Sequence, residues 1–414
     1  MGKALLITRG SATPTSGDET NLFGQGSYSS TEANCQASCT EDATFSNLRF
    51  NIISGGSGTN NIRFRDAGGD GNQLASRAGA GAAEDSVNTD ILSAADLFNL
   101  AYTDDGSDSV FAWIAANVEF TSGHGNFHGS ATYGGGVFDV QSTTRFIPLH
   151  GNYITDGTAT EDNIEWKVRG YDSFEALQVR VTANARLNNS IFVNRIEGVD
   201  GTGSITFAAS ETGLKTVTGL GDAITAGQTV NASITLDTGV QDLRVVFVCA
   251  AFKSSASKSE SFAGFQLDGL ARAASSTAHY FPIGGNNNSL TAVTEAQARI
   301  KPGFAAVVSN LRCYLSANTY DGTGASEGTL KLYQNGSPVI TTAITASGGA
   351  GWYENATDTI TIDADDELSF EFDEGNAGSI TIHSAGITFA PVVAPSAAIG
   401  YWGHALRYIA TKNR

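Results

Sequence analysis

His124-Gly125-Asn126-Phe127-His128 sets two imidazoles four residues apart, which on a helix would put two metal-ligating nitrogens on one face. Gly123, Gly125 and Gly129 favour a loop instead, and no third ligand stands nearby in sequence, so no metal ligand is assigned. Two acidic loops, Asp104-Asp105-Gly106-Ser107-Asp108 and Asp363-Ala364-Asp365-Asp366-Glu367, carry carboxylates of the kind that hold Ca²⁺. Neither follows the spaced D-x-D-x-D-G pattern, and solvated turns explain both without a cofactor. Cys35 and Cys39 lie in a Ser/Ala/Thr-rich stretch and read as two isolated thiols rather than a disulfide or metal pair. Phosphate-loop, H-E-x-x-H and C-x-x-C signatures are missing, and nothing singles out a catalytic pair among 42 acidic residues. The expectation is a protein without enzymatic activity.

Aromatic residues offer recognition chemistry instead. Trp113, Trp166 and Trp352 are expected to fill cores. Trp402 differs, because it belongs to Tyr401-Trp402 followed by Arg407-Tyr408, a mixed aromatic and cationic composition that is enriched at protein interfaces. These four residues are the candidate partner-docking element.

The chain that must position such groups has 414 residues, 48 Gly, 7 Pro and one Met, with only 16% charged residues. Thr, Val, Ile and Phe recur in short runs bounded by Gly, Asn and Asp, a composition of strands and turns. A net charge of −18 repels phosphate backbones and anionic membranes, which argues against nucleic-acid and membrane partners. Between Lys331 and Arg407 there is no Lys or Arg, while 354–374 carries nine carboxylates. The ends are basic, with Lys3 and Arg9 in front and Arg407, Lys412 and Arg414 behind; solvated ends and a terminus docked on an acidic partner both fit. Four cysteines are too few for a disulfide scaffold and suggest synthesis in a reducing compartment. MGKALLITRG lacks the apolar core of a signal peptide, and no run has the roughly 20 apolar residues of a membrane helix.

Three segments repeat. Phe45-Ser46-Asn47-Leu48-Arg49-Phe50 matches Val308-Ser309-Asn310-Leu311-Arg312-Cys313, with Phe174-Glu175-Ala176-Leu177-Gln178-Val179 as a degenerate copy between them. The spacings are 129 and 134 residues. After each anchor a Gly/Asn-rich loop leads to a second strand: Ile62-Arg63-Phe64-Arg65, Ile191-Phe192-Val193-Asn194, and Leu330-Lys331-Leu332-Tyr333 with its Asn335-Gly336 hairpin turn. Closing strands are expected over Val110 to Phe120, Leu243 to Phe252 and Ser379 to Phe389. A second signature, Arg145-Phe146-Ile147-Pro148-Leu149-His150-Gly151 beside His279-Tyr280-Phe281-Pro282-Ile283-Gly284, sets the expected boundaries: modules at 1–144, 145–278 and 279–392, then a tail at 393–414. One short helix or turn is expected over Ser93 to Leu100. The fold class is all-β, three tandem antiparallel β-sandwiches of the jelly-roll kind, with strand order open.

Leu330-Lys331-Leu332-Tyr333-Gln334-Asn335-Gly336-Ser337 resembles a strand and turn that recur in β-sandwich modules of tailed-bacteriophage virion proteins. That resemblance implies a capsid decoration, minor capsid or fibre-like structural protein, made in a host cytoplasm and residing in the virion, whose partners are major capsid or other virion proteins. The alternatives are a secreted or cell-surface carbohydrate-binding or adhesive protein and, behind it, a polysaccharide depolymerase. Three covalently joined copies can form a three-module pseudo-trimer, or run in line as a spike that itself forms a homotrimer.

Overall fold

The computed structural model describes residues 3–392 except 10–13, 21, 23, 26–28, 56–57, 105–108, 122–124, 140–142, 150–156, 238–240, 266–268, 274–277, 287–293, 321–327 and 374–377. Among the described residues, all three repeats form the same eight-stranded sandwich. In the first, the strands in chain order are Lys3–Arg9, Glu19–Thr20, Ala43–Ser54, Thr59–Asp66, Gly69–Ala78, Gly81–Leu92, Leu97–Thr103 and Val110–Phe120. Those of the second are Gly125–Phe138, Thr144–Ile147, Ser173–Asn184, Ser190–Ile196, Val199–Phe207, Gly213–Ala223, Thr229–Thr235 and Leu243–Lys253. The third opens on a split strand, Ser259–Gly264 with Leu270–Ala273. It continues through Ala278–Phe281, Ala306–Asn318, Gly328–Gln334, Ser337–Ile344, Gly351–Ile362, Leu368–Asp373 and Ser379–Pro391.

One sheet of every sandwich runs first, eighth, third, sixth; the other runs second, seventh, fourth, fifth. This is jelly-roll order, two Greek keys wrapped around one core. Pairing within both sheets is antiparallel, apart from two-residue parallel additions to the first strand at Gly24–Gln25 and Gly285–Asn286.

Local chemistry sets the elements. The fourth strands alternate buried and partly buried residues, as expected of strands with one face on a core. Each turns into the fifth strand through two residues at positive φ: Ala67 and Gly68 (47° and 84°), Glu197 and Gly198 (51° and 71°), Asn335 and Gly336 (51° and 82°). Positive φ at both positions is the type I′ hairpin, whose twist matches its strands, so the turn legible at Asn335-Gly336 recurs in all three copies. The eighth strands, by contrast, are buried nearly throughout, with almost no polar alternation. A strand reads as a continuous apolar run when both its faces are covered, and that second cover comes from a neighbouring sandwich.

Two expectations are corrected. The boundaries at 144/145 and 278/279 fall one strand late: Gly125–Phe138 pairs with Leu243–Lys253, and Ser259–Gly264 and Leu270–Ala273 pair with Ser379–Pro391, so each belongs to the sandwich that follows it. The aromatic-proline segments mark the second strand instead, a sheet edge, with Pro148 and Pro282 one residue past its end where no ladder donor is needed. Of the short helix or turn expected over Ser93 to Leu100, the start is a turn and the rest is strand. Asp96 Oδ2 accepts from the Ser93 amide at 2.8 Å, Ala95 sits at φ 73°, and the chain enters the strand Leu97–Thr103. The same closure recurs where Gln228 caps Thr225 and Asp366 caps Asp363, each before a seventh strand.

Candidate functional site: the contacts that close the ring

The connection between the second and third strands carries a short helix in each sandwich, at Glu32–Asn34, Glu161–Asn163 and Glu295–Ala298. The first helical residue pins the loop. Glu32 accepts from Arg65 Nε at 3.0 Å and Glu161 from Arg195 Nε at 2.5 Å, both on the adjoining fourth strand, while Glu295 accepts from Arg299 Nε at 2.7 Å and Ser369 Oγ at 3.0 Å. Thr31-Glu32, Thr160-Glu161 and Thr294-Glu295 are spaced by 129 and 134 residues, in phase with the anchors. That two-residue Thr-Glu repeat is the sequence signal that marks the loop.

Each loop is laid on the outer face of a neighbouring sandwich's first-strand sheet. The loop of the third covers the first: Arg49 Nη2 donates to Pro302 O at 3.3 Å and Asn51 Nδ2 to Gln297 O at 3.0 Å. The loop of the second covers the third, where Arg312 Nε donates to Lys167 O at 2.8 Å. The loop of the first covers the second: Arg180 Nη1 donates to Gln36 O and its Nη2 to Gln36 Oε1, both at 3.3 Å. One onto two, two onto three and three onto one is a head-to-tail arrangement that closes, which is the condition for a ring.

The apolar cores obey the same cycle. The core of the first sandwich continues into Ala176, Phe247 and Cys249 of the second; that of the third into Leu5, Ile7 and Trp113 of the first; that of the second into Phe262 and Trp352 of the third. Small residues permit this approach. A Cβ on Gly284 would lie 2.7 Å from Ile7 Cδ1 across the junction between third and first sandwiches.

The Ser-Asn-Leu-Arg repeat now has a physical reason. Asn47 and Asn310 take φ 51° and 55° at a register shift in the third strand, and their carbonyls accept from Arg49 Nη1 at 2.6 Å and Arg312 Nη1 at 2.9 Å. The bulge holds each guanidinium flat on the sheet, aimed at the incoming loop. In the second sandwich Gln178 takes that place and bonds Thr216 Oγ1 at 3.0 Å, and Arg180, two residues on, reaches the loop instead.

Electrostatics separate the junctions. Between the second and third sandwiches, Glu260 Oε1 lies 3.0 Å from Arg312 Nη2 and accepts the Arg169 and Gly170 amides at 2.7 Å each. Burial pushes the Glu260 carboxyl up and the Arg312 guanidinium down, and their mutual attraction opposes both shifts. Burial would also raise Glu354, but hydrogen bonding and charge from Arg169, with Arg312 and Lys167, hold it below the usual carboxylate range. At the junction of the third and first sandwiches Arg49 is just as buried, yet its acceptors are Asn47 O, Asn117 Oδ1 and Pro302 O, and burial pushes it down to about 10.

The expected recognition residues fall as follows. Tyr401, Trp402, Arg407 and Tyr408 lie outside the described residues, as does His124. His128 Nε2 is 2.7 Å from Tyr171 Oη, and its ring meets Trp166 edge-on with centroids 4.5 Å apart, a packing role. Trp166 fills the second core and Trp113 the core shared by the third and first sandwiches, both as expected, whereas Trp352 is partly buried at a junction beneath the Lys167 ammonium. Cys35 and Cys39 are buried thiols, and Cys35 Sγ donates to Glu19 O at 3.1 Å. Of the acidic loops, Asp104 accepts from Tyr102 Oη at 2.7 Å, 105–108 lie outside the described residues, and Asp366 is spent on Gln334 and Asn335. Among the described residues no group of three metal-ligating side chains assembles, and no helix is long and apolar enough to cross a membrane.

No protein-family model and no curated protein matches the chain. Among solved structures, infectious bursal disease virus of the Gx strain is 13% identical, covering 64% of this chain and 72% of its own at a TM-score of 0.17. PNGF-II in its P21 crystal form is 7% identical, over 80% and 99%, at 0.17. The VP2 subviral particle of infectious bursal disease virus is 10% identical, over 86% and 73%, at 0.15. Scores this low carry no argument.

Proposed function

We propose that this chain is a non-enzymatic virion structural protein, a capsid decoration, minor capsid or fibre-like component of a bacteriophage, which presents three jelly rolls as a single-chain pseudo-trimer and works through protein–protein contacts. The observation that carries this reading is the closed cycle of loops, in which each sandwich lays the same segment on the next. A ring of three like modules offers three like outer surfaces, so one polypeptide matches a threefold or quasi-threefold position that otherwise takes three subunits. The surface charge of −18 favours solubility and basic partner faces over nucleic acid.

Quantitative mass spectrometry and unsymmetrised electron cryomicroscopy of gradient-purified particles test it. The chain should occur at a fixed ratio to the major shell protein, one copy per threefold position. Absence from purified particles, or three copies around one axis, would overturn the proposal.

A further inference from the structure

A cleft of ≈ 270 Å³ opens where the loop of the third sandwich crosses the face of the first, walled by Arg49, Asn51, Glu84, Trp113, Arg299 and Lys301. Its charges are unevenly matched. Arg299 is committed to Glu295 and Glu367, whereas among the described residues Lys301 reaches only the fully exposed Asp365, at 4.0 Å. Arg49 is 2% exposed and ion-pairs with no carboxylate among the described residues; its own Nε and the neighbouring Trp113 Nε1 are buried and make no hydrogen bond.

The equivalent guanidinium shows what is different here. Asn117 pairs with Ser46 and Leu5 just as Thr388 pairs with Ser309 and Glu260, so Leu5 stands where Glu260 neutralises Arg312. A buried arginine whose repeat-mate is ion-paired, and which itself has only the through-space charge of Glu84 to oppose its burial, is suited to an anion from outside. Glu84, the cross-strand partner of Arg49, adds an acceptor to the wall. A bare anion would be repelled by it, while a ligand that also carries hydroxyl donors would not. The cleft is larger than a lone carboxylate needs and of the order of one sugar ring.

We propose that this cleft binds a hexuronic acid residue, its carboxylate bonded by Lys301 and drawn by the charge of Arg49, its hydroxyls donating to Glu84 beside the buried Trp113. The proposal does not depend on the virion role. Full-length protein labelled with 5-fluorotryptophan and followed by ¹⁹F NMR tests it, the Trp113 resonance being the one lost in Trp113→Phe. Galacturonate should shift that resonance with a Kd of about 1 mM or tighter. Galactose and acetate should bind at least about tenfold more weakly, and Lys301→Met should weaken galacturonate by a similar factor without changing the thermal midpoint. An unmoved Trp113 signal, acetate or galactose binding as well as galacturonate, or full affinity in Lys301→Met would each overturn it.

Discussion

Arg312 and Glu260 face each other at 3.0 Å with both side chains excluded from solvent, and the same carboxylate oxygen takes two amides from the loop of the neighbouring sandwich. This ion pair lies within one jelly roll, yet its free valences are completed by another. The joint and the core are therefore continuous, as the apolar clusters that cross each junction also show.

Breaking the pair should be costly. Glu260→Ala leaves Arg312 buried without its counter-charge, and a loss of about 3–5 kcal/mol in urea unfolding is expected. Replacing both, Glu260→Leu with Arg312→Met, should recover only part of that loss, because the desolvation cost of the charges disappears while the Arg169 and Gly170 amides lose their acceptor.

Across the same junction Arg169 Nε donates to Glu354 Oε1 at 2.7 Å, and its Nη2 contacts Oε2. A double-mutant cycle with Arg169→Met and Glu354→Gln should give a coupling of about 1–3 kcal/mol. Hydrogen exchange in either variant should quicken on residues 160–170 and on the strand Gly351–Ile362 together, since the two form opposite sides of one contact.

Glu165 gives the ring a pH dependence. Burial, with Glu161, Asp162 and Glu197 adding to it and a Thr229 hydrogen bond opposing, pushes its carboxyl up to about 7 from 4.5. The folded state thus holds the proton more tightly than the unfolded state. Its contribution is complete below about pH 4.5 and is lost as pH rises to about 7. Glu165→Gln should match the parent near pH 4.5 and exceed it by about 1–2 kcal/mol near pH 8, a figure reduced for partial solvent screening. Melting curves at the two pH values check this.

All four thiols are buried, and burial pushes every one of them up, Cys35 and Cys313 to about 12. Native protein should therefore resist alkylation at pH 8, with all four sites labelled only in denaturant, as mass spectrometry would show. Rapid labelling of Cys39 or Cys249 alone would mean that the contact between first and second sandwiches opens.

Period-2 patterning and turn chemistry made the jelly-roll strands legible, because alternation at Ile62 to Arg65 or Leu330 to Tyr333 is a local consequence of one covered face. Ring closure was not legible in that way. Arg49 and Arg312 stand out in the sequence only as part of the Ser-Asn-Leu-Arg repeat, and the loop that covers them arrives from more than 140 residues away. Trp113 is buried as expected, but in the core it shares with the third sandwich, and Trp352 is only partly buried: an aromatic on an outer face and one in a core have the same local pattern. The boundaries slipped by one strand because the first strand pairs with the eighth, over 100 residues later, and no short-range signal fixes that partner.

Small-angle scattering with in-line light scattering on the purified chain tests ring closure most directly. A mass of 43.0 kDa with a radius of gyration of about 22–25 Å is expected for one compact ring. A radius above about 30 Å at that mass, as for sandwiches strung in line, or a mass three times larger, would contradict it.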